Sequence, residues 1–424
     1  MTAHAAAPDV CGACLAELGI ASGEARAVAN PLVHAIWRRL PVRLRRTVAH
    51  RTLSLLAPRL PALIEPPADA PHIVVGFLTS PSGLGQAARL AMRAWIGEGK
   101  DVRGVDLSRH FFELSDRVRF DFTDGREMRG PAHVLINVNA PYMKYVFHLL
   151  GNGFLRQKKI IAYWAWELPR APDSWREGLE RAHMIATPSE FVADAVRGLG
   201  KGPPVRVAAH PVALEHPPPI APRDRAVSAE APFLVVSSFN IASGFERKNP
   251  LALITAFRAA FADRGDVRLR LLASGAEHYA AGARRLREAA VGDERIELTM
   301  DAFDRDGYWR WYGRPDLFAS LHRAEGFGLG LAESMCAGVP VLATNWSANA
   351  EYMSEANSLP VNFTLVPVAD PQAKYQADDQ RWAEADVSHA AALLRRAASE
   401  PDWLAGLAQR GQADARARFS RFAI

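Results

Sequence analysis

Short apolar runs alternate with helical patterns along most of the chain. The apolar runs, rich in Val, Ile, Leu and Ala, cover residues 73–78, 133–139, 159–166, 184–189, 233–239, 267–274, 295–300, 315–321 and 339–344. Continuous apolar runs of this length are typical of parallel strands buried on both faces. Stretches with helical character lie between and after them, among them residues 250–261, 330–337 and 387–419. The alternation predicts an α/β fold with doubly wound parallel sheets.

A proline-dense stretch divides this pattern into two similar halves. Prolines cluster between residues 210 and 232, which is typical of a linker between domains. Ligands of open parallel sheets bind beyond the carboxyl ends of the strands, so we expect the site in a cleft between the halves. The predicted units are a helical basic prefix (1–70), a first Rossmann-like domain (71–215), the linker (216–230), a second Rossmann-like domain (231–395) and a C-terminal helix (396–424) that could cross back to the first domain.

Composition narrows the class of protein. The chain has 424 residues, 49% hydrophobic and 23% charged, which fits a globular protein and excludes disorder as its main state. Three cysteines, Cys11, Cys14 and Cys336, give no disulfide framework and favour a reducing compartment. The sequence has no apolar run long enough for a transmembrane helix and no secretory signal at its start, so we expect a cytoplasmic protein.

The basic prefix has two interpretations. Residues 26–60 combine arginines with Trp37 and several leucines, and no acidic residue lies between Arg26 and Glu65. A basic amphipathic helix of this kind can lie at a bilayer interface, at the inner face of the membrane. It can equally pack on the main body with a solvated arginine face. Nucleic-acid binding is disfavoured, because the segment has little aromatic interleaving and no known module signature.

The strongest chemical motif is SLHRAEGFGLGLAESMCAGVPVLATNWSANAEYM, residues 320–353. Glu325 lies in a glycine loop after a predicted strand, and Glu333 follows on the predicted helix. Gly326 and Gly328 allow a ligand to approach the backbone closely, and the helix start offers N–H groups to a diphosphate. Carboxylates accept hydrogen bonds from hydroxyls, so the two acids suit the sugar and the ribose of a sugar nucleotide.

This segment resembles the Glu-x7-Glu signature of the family 4 retaining glycosyltransferases, which have the GT-B fold of two Rossmann-like domains facing a cleft. The resemblance extends through the AESMCAGVPV and NWSANAEYM stretches to a branch acting in polysaccharide and lipopolysaccharide assembly. It implies that Glu325 contacts the donor sugar and Glu333 the ribose. It also implies that the backbone at Gly326, Phe327, Gly328 and Leu329 lines the donor pocket.

A second motif, SSFNIASGFERKNP, follows the first strand of the second half. Arg247 and Lys248 precede a predicted helix, and cations fixed there would stabilise the charge that a leaving diphosphate develops. Lys248 matches the family's lysine. The family's arginine usually follows the strand directly, where this chain has Phe239 and Asn240, and Arg247 is the candidate substitute.

Two further motifs belong to the first half. Gly83 and Gly85 in SPSGLGQAARL form a glycine loop before a helix and match the family's loop facing the donor phosphates. Trp166 and Glu167 in YWAWELP are acceptor-side candidates, by stacking on a sugar and by binding or deprotonating a hydroxyl. Asn139 is a weaker candidate of the same kind. The YWAWELP stretch can equally be the buried aromatic end of a strand without a catalytic role.

The sequence thus predicts a retaining glycosyltransferase that moves a hexose, with mannose one candidate, from a nucleoside diphosphate sugar to a glycan or lipid-linked acceptor. Its partners would be that donor, that acceptor and a membrane surface, and not nucleic acid. No metal is expected, because the histidines stand alone without ligand spacing and the resembled family needs none. No other cofactor is expected beside the nucleotide-sugar donor. Two alternatives remain: another two-domain enzyme, such as a sugar-nucleotide epimerase or a phosphorylase, and a non-catalytic glycosyltransferase-like subunit.

Overall fold

Two parallel sheets form the framework of the molecule. The computed structural model describes residues 57–111, 118–215, 219–220, 226–375 and 379–424. Cys11, Cys14 and residues 26–56 of the predicted basic prefix lie outside the described residues. Each sheet has six parallel strands, and a separate two-stranded antiparallel sheet accompanies the second. The predicted α/β fold with two doubly wound sheets is confirmed.

The first sheet has the strand order β2-β1-β3-β4-β5-β6. Its strands are β1 (His72–Gly76), β2 (Val102–Asp106), β3 (Ala132–Ile136), β4 (Lys158–Tyr163), β5 (Met184–Thr187) and β6 (Val205–Val207). The helices of this half are α1 (Gly83–Gly97), α2 (Ser108–Phe111), α3 (Met143–Leu155), α4 (Arg176–Leu179) and α5 (Glu190–Arg197). Ile73, Val74 and Val75 are all fully buried, because helices cover both faces of the sheet.

The second sheet has the strand order β12-β11-β10-β7-β8-β9. Its strands are β7 (Phe233–Asn240), β8 (Val267–Ser274), β9 (Ile296–Thr299), β10 (Leu317–Ser320), β11 (Val341–Thr344) and β12 (Leu359–Val361). The helices of this half are α6 (Phe245–Lys248), α7 (Pro250–Ala260), α8 (Ala280–Ala290), α9 (Arg305–Tyr312), α10 (Leu329–Ala337), α11 (Val387–Ser399) and α12 (Pro401–Arg418). Strand β7 lies between β10 and β8, so the loops that follow β7 and β10 meet at one edge.

An antiparallel hairpin follows the second sheet, and the sequence analysis did not predict it. Its strands are β13 (Phe363–Pro367) and β14 (Arg381–Ala385), which pair with each other and with no strand of the parallel sheets in the described part of the chain. Strand β13 is largely exposed, whereas β14 buries Trp382. The hairpin brings its connecting loop to the edge where β7 and β10 end.

The stretch predicted as helical over 387–419 forms two helices, and the second begins at Pro401 where the C-terminal helix was predicted from residue 396. The chain breaks at Glu400, and Pro401 takes the first position of α12, where its missing N–H costs nothing. Beyond α12, the Phe422 ring packs against Trp95 of α1 and Tyr163 of β4. The end of the chain therefore contacts the first half. None of the described helices is long and apolar enough to cross a membrane.

Candidate active site

Glu325 lies where the two central strands of the second sheet end. It follows β10, while Arg247 and Lys248 form the end of α6, which follows β7. Because β7 and β10 are paired neighbours, the fold brings together residues that are 77 positions apart in the chain. The structure thus unites the three residues that the sequence analysis predicted as catalytic.

The three side chains form one buried charged cluster. The Lys248 ammonium donates to Glu325 Oε1, and Arg247 Nη1 lies 3.1 Å from the same oxygen. Only 9% of Glu325 and 2% of Arg247 are exposed. Burial alone would raise the pKa of Glu325, but the nearby Lys248 and Arg247 outweigh it and lower that pKa to about 2. The carboxylate is therefore ionised and acts as a hydrogen-bond acceptor.

The backbone of Glu325 is hydrogen-bonded to the segment that follows β11. Its N–H donates to Ser347 Oγ at 2.8 Å, and its carbonyl accepts from the N–H of Ala348 at 3.2 Å. Ser347 has a φ of 71°, a left-handed conformation that a serine rarely adopts. Sequence reasoning did not identify Ser347, although it lies in the NWSANAEYM stretch.

The glycine loop after Glu325 is held by a positive φ at Gly328 and by hydrogen bonds from Tyr352. Gly328 has a φ of 86° and precedes α10 without a side-chain cap on the first N–H groups of that helix. The Tyr352 hydroxyl donates to the carbonyls of Phe327, at 2.8 Å, and Gly328, at 3.2 Å. Leu329 begins the helix. The uncapped helix start keeps backbone N–H groups available to an anion.

Glu333 forms a separate ion pair, with an arginine of α9. It is buried on α10, and its Oε1 lies 2.9 Å from Arg305 Nη2 at the start of α9. The Arg305 guanidinium lies 5.0 Å from the centre of the Trp309 ring. Arg305 was missed by the sequence analysis, since an arginine in RDGYWRWYG carries no recognisable signal.

Gly83 and Gly85 of the predicted glycine loop lie in the first turn of α1 and not before it, and this turn faces the same region. A Cβ at Gly83 would lie 3.9 Å from Leu329 Cδ1, which places Gly83 across the cleft from the start of α10. A Cβ at Gly85 would lie 2.5 Å from the Ser80 carbonyl oxygen, so only glycine fits the turn. Buried Arg89 reinforces the turn by donating to the carbonyls of Leu78 and Ser80.

The acceptor-side candidates take different positions. Glu167 Oε1 is 3.9 Å from Arg247 Nη2, so it lies beside the charged cluster. Asn139 Oδ1 accepts from the N–H of Ala165 at 2.9 Å and thereby holds the strand end that leads to Glu167. The Trp166 ring packs against other aromatic rings, and its Nε1 donates to the Arg170 carbonyl at 2.8 Å.

Direct contacts join the two halves beside Glu325. Ser189 Oγ caps α5 of the first half and donates to the Gly326 carbonyl at 2.8 Å. The Glu351 carboxylate of the second half accepts from the N–H groups of Glu190, at 3.1 Å, and Phe191, at 2.8 Å. Hydrogen bonds between the two halves therefore hold the cleft closed beside Glu325. Across the described ranges, no group of three or more His, Cys, Asp or Glu side chains could hold a metal ion.

Part of the chain matches a family model. Residues 233–379, which contain Arg247, Lys248, Glu325 and Glu333, match the family model described as Glycosyl transferases group 1. No curated protein sequence matches the chain significantly.

The fold of most of the chain is similar to that of several solved structures. HepE from Anabaena, in complex with UDP and glucose, is 13% identical with a TM-score of 0.55, over 82% of this chain and 95% of that one. Sucrose-phosphate synthase from Thermosynechococcus elongatus is 15% identical with a TM-score of 0.54, over 82% of this chain and 95% of that one. Trehalose 6-phosphate synthase from Burkholderia multivorans is 12% identical with a TM-score of 0.54, over 83% and 94%. At these identities the likeness shows the fold. The chain therefore has a GT-B fold, residues 233–379 match the model of the group 1 glycosyl transferases, and these two findings together support a glycosyltransferase.

Proposed function

We propose that the protein is a retaining glycosyltransferase that moves a hexose from a nucleoside diphosphate sugar to a hydroxyl of a glycan or lipid-linked acceptor. The observation that carries the proposal is the buried cluster of Glu325, Lys248 and Arg247 at the edge where β7 and β10 end. This is the place where an open parallel sheet binds its ligand. The match of residues 233–379 covers all three side chains.

The cations and backbone N–H groups suit a diphosphate. Lys248 and Arg247 supply two positive charges beside the Glu325 carboxylate, at the edge where an anion would enter. A second carboxylate, Glu167, lies 3.9 Å from Arg247 Nη2. The uncapped start of α10 adds N–H groups and the positive end of a helix dipole. The glycine loop at Gly83 lies opposite, against Leu329. The donor diphosphate would lie between these elements.

The two glutamates suit the two sugars of the donor. Glu325, kept ionised by its neighbours, would accept hydrogen bonds from hexose hydroxyls. Glu333, oriented by Arg305, would accept from ribose hydroxyls. The complex of HepE with UDP-glucose supports a nucleoside diphosphate hexose, and mannose is one alternative to glucose.

In the proposed reaction, the bond between the anomeric carbon and the diphosphate breaks as the acceptor oxygen bonds to that carbon on the same face. The acceptor proton passes to an oxygen of the departing diphosphate. No protein nucleophile is required. Lys248 and Arg247 stabilise the negative charge that develops on the leaving group, and closure of the two halves excludes water. Glu167, 3.9 Å from Arg247, is the candidate for contact with the acceptor hydroxyl.

The test begins with the full chain and a panel of nucleoside diphosphate sugars. A donor should raise the melting temperature, since it binds the native state alone. Release of the nucleoside diphosphate should then depend on an added glycan or lipid-linked acceptor. Nuclear magnetic resonance of the product should show the anomeric configuration of the donor. Lys248→Met should lower turnover by at least about 100-fold, the usual scale for removing one transition-state contact, while exposed Lys201→Met should not.

Other outcomes would overturn the proposal in distinct ways. Isomerisation of the donor without an acceptor would indicate an epimerase. Donor binding without transfer to any acceptor tried would indicate a non-catalytic subunit. An inverted product would contradict retention while leaving the donor site intact.

Membrane contact through residues 26–60 stays a proposal that rests on the sequence alone. Sedimentation with anionic liposomes, compared between the full chain and a variant without residues 1–56, measures it. Equal sedimentation of the two proteins would contradict it.

A further inference from the structure

The loop of the β13–β14 hairpin packs directly on the candidate active site. Asp370 organises its first turn by accepting the N–H groups of Gln372, at 3.1 Å, Lys374, at 2.8 Å, and Tyr375, at 3.2 Å. Such a side-chain-capped turn fixes the backbone without help from the sheet. The backbone that leads to Tyr375 is therefore organised by its own loop, which leaves the ring to be positioned by its neighbours.

This loop is joined to the segment that carries Arg247. Gln372 Oε1 accepts the N–H of Phe245 at 2.5 Å, and its Nε2 donates to the Ile241 carbonyl at 3.2 Å. Gln372 is buried, so losing these bonds would leave polar groups unsatisfied. One side chain thus ties the hairpin loop to both ends of the turn before α6.

Tyr375 contacts the same carbonyl that holds the arginine. Its hydroxyl donates to the Ser243 carbonyl at 3.4 Å, and Arg247 Nη2 donates to that oxygen at 3.0 Å. The Arg247 guanidinium lies 5.8 Å from the centre of the Tyr375 ring, within the range of a cation–π contact. Tyr375 is only 6% exposed, so its ring forms a wall beside the guanidinium and not a surface group.

The opposite side of Tyr375 contacts the first half of the chain. The centres of the Trp166 and Tyr375 rings are 5.6 Å apart, with an angle of 50° between the ring planes. Leu168, also from the first half, packs in the same apolar cluster with Ala324, Tyr375 and Trp382. Ala324 accepts from Arg247 Nη1 at 2.7 Å. Tyr375 therefore stands between Trp166 of one half and Arg247 of the other.

We propose that Tyr375 is a positioning residue whose ring transmits closure of the two halves, through its contact with Trp166, to the Arg247 guanidinium. With the halves apart, the ring would lose its contact with Trp166, and Arg247 would lose its neighbour Glu167. The bonds of Arg247 to the Ser243 and Ala324 carbonyls would remain, but the ring beside the guanidinium would be free to move. With the halves together, the ring packed on Trp166 narrows the positions open to the guanidinium. A transferase gains from this arrangement because the cation takes its final position as the cleft closes to water. The effect on rate rests on the proposed function, whereas the effect on Arg247 mobility does not.

The first measurement needs no ligand. Hydrogen exchange of the full chain reports the amides of Phe245, Lys248 and Asn249, which are hydrogen-bonded to Gln372, Gly244 and Phe245. Tyr375→Ala and Trp166→Ala should each speed exchange at these amides. Leu365→Ala, a change at an exposed residue of the same hairpin, should not. Unchanged exchange in Trp166→Ala would overturn the transmission between halves, whatever the protein's activity.

The second measurement uses a donor found by the screen. Tyr375→Ala should lower kcat by about 10–100-fold, since a displacement of about 1 Å at a reacting centre can cost about 100-fold. KM for the donor should change by less than the fold-change in kcat. Tyr375→Phe, which keeps the ring, should restore most of the rate. A Tyr375→Ala protein with wild-type kcat would overturn the proposal, as would a Tyr375→Phe protein no better than Tyr375→Ala. If the wild type turns over no donor, the proposed function fails and hydrogen exchange alone decides this inference.

Discussion

The Lys248 ammonium and the Glu325 carboxylate form an ion pair at the edge where two neighbouring strands end, although the residues are 77 positions apart in the chain. Arg247 lies 3.1 Å from the same carboxylate oxygen. Buried charges are stable only when they are paired, so the three side chains depend on one another for both stability and position. The first prediction follows from this dependence.

Glu325→Gln should damage both turnover and folding. The amide keeps the size of the side chain but leaves Lys248 and Arg247 without their negative partner. We expect turnover to fall by at least about 100-fold. The free energy of unfolding should fall by roughly 3–5 kcal/mol, the usual cost of breaking a buried pair. Steady-state kinetics and urea unfolding measure the two effects. Glu355→Gln, at an exposed position, is the matched control. Wild-type turnover in Glu325→Gln would exclude this carboxylate from the site.

Gly326→Ala should prevent close approach of the two halves. A Cβ at this position would lie 2.5 Å from the Trp166 carbonyl oxygen, closer than such atoms come in proteins. Either the halves separate or the loop beside Glu325 shifts, and both disturb the donor site. We expect at least a 10-fold loss of turnover, on the order of 1.4 kcal/mol in the barrier, and a larger radius of gyration in small-angle X-ray scattering. Gly97→Ala, where a Cβ meets no atom within 4 Å, should behave as wild type. Unchanged scattering and rate in Gly326→Ala would contradict the closed arrangement.

Glu351→Gln should weaken the contact between the second half and the start of α5. The carboxylate accepts from two backbone N–H groups, and an amide offers only one oxygen to them. Loss of one bond to a charged group costs about 1.5–3 kcal/mol. Hydrogen exchange at Glu190 and Phe191 should quicken, while exchange within the β1–β3 core should stay the same. Equal protection at both amides would show that the carboxylate does not hold the helix start.

The free energy of unfolding should fall as the pH is lowered, because His210 is buried in its neutral form. This histidine is buried between Tyr163 and Phe327, and burial lowers its pKa from 6.5 to about 3. Below pH 6.5 the unfolded chain binds a proton that the folded chain excludes. Stability is therefore complete above pH 6.5 and is lost as pH falls toward 3, by about 1.4 kcal/mol per pH unit from this group.

Urea unfolding between pH 4.5 and 7.5 measures that slope. His210→Gln should flatten it relative to wild type, and exposed His278→Gln should leave it as it is. An equal slope in the wild type and His210→Gln would show that the imidazole titrates normally in the folded protein.

Continuous apolar runs were enough to predict the central strands of both sheets, because a parallel strand buried on both faces must be apolar throughout. The predicted apolar runs at 233–239 and 267–274 correspond to β7 (Phe233–Asn240) and β8 (Val267–Ser274). Short edge strands such as β6 (Val205–Val207) were missed, since half-exposed strands carry little apolar signal. The β13–β14 hairpin was missed for the same reason, because most residues of β13 are exposed or half-exposed.

The sequence by itself determined which residues could perform chemistry: the acids and glycines of AEGFGLGLAE and the cations of ERKNP stand next to predicted strand ends. Local sequence carries this information because strand ends and helix starts are set by nearby residues. Only the tertiary structure decided that Lys248 and Arg247 share Glu325, that Arg305 pairs with Glu333, and that Tyr375 stands between Trp166 and Arg247. These relationships depend on strand order and on the packing of one half against the other, and no periodicity or spacing along the chain encodes either.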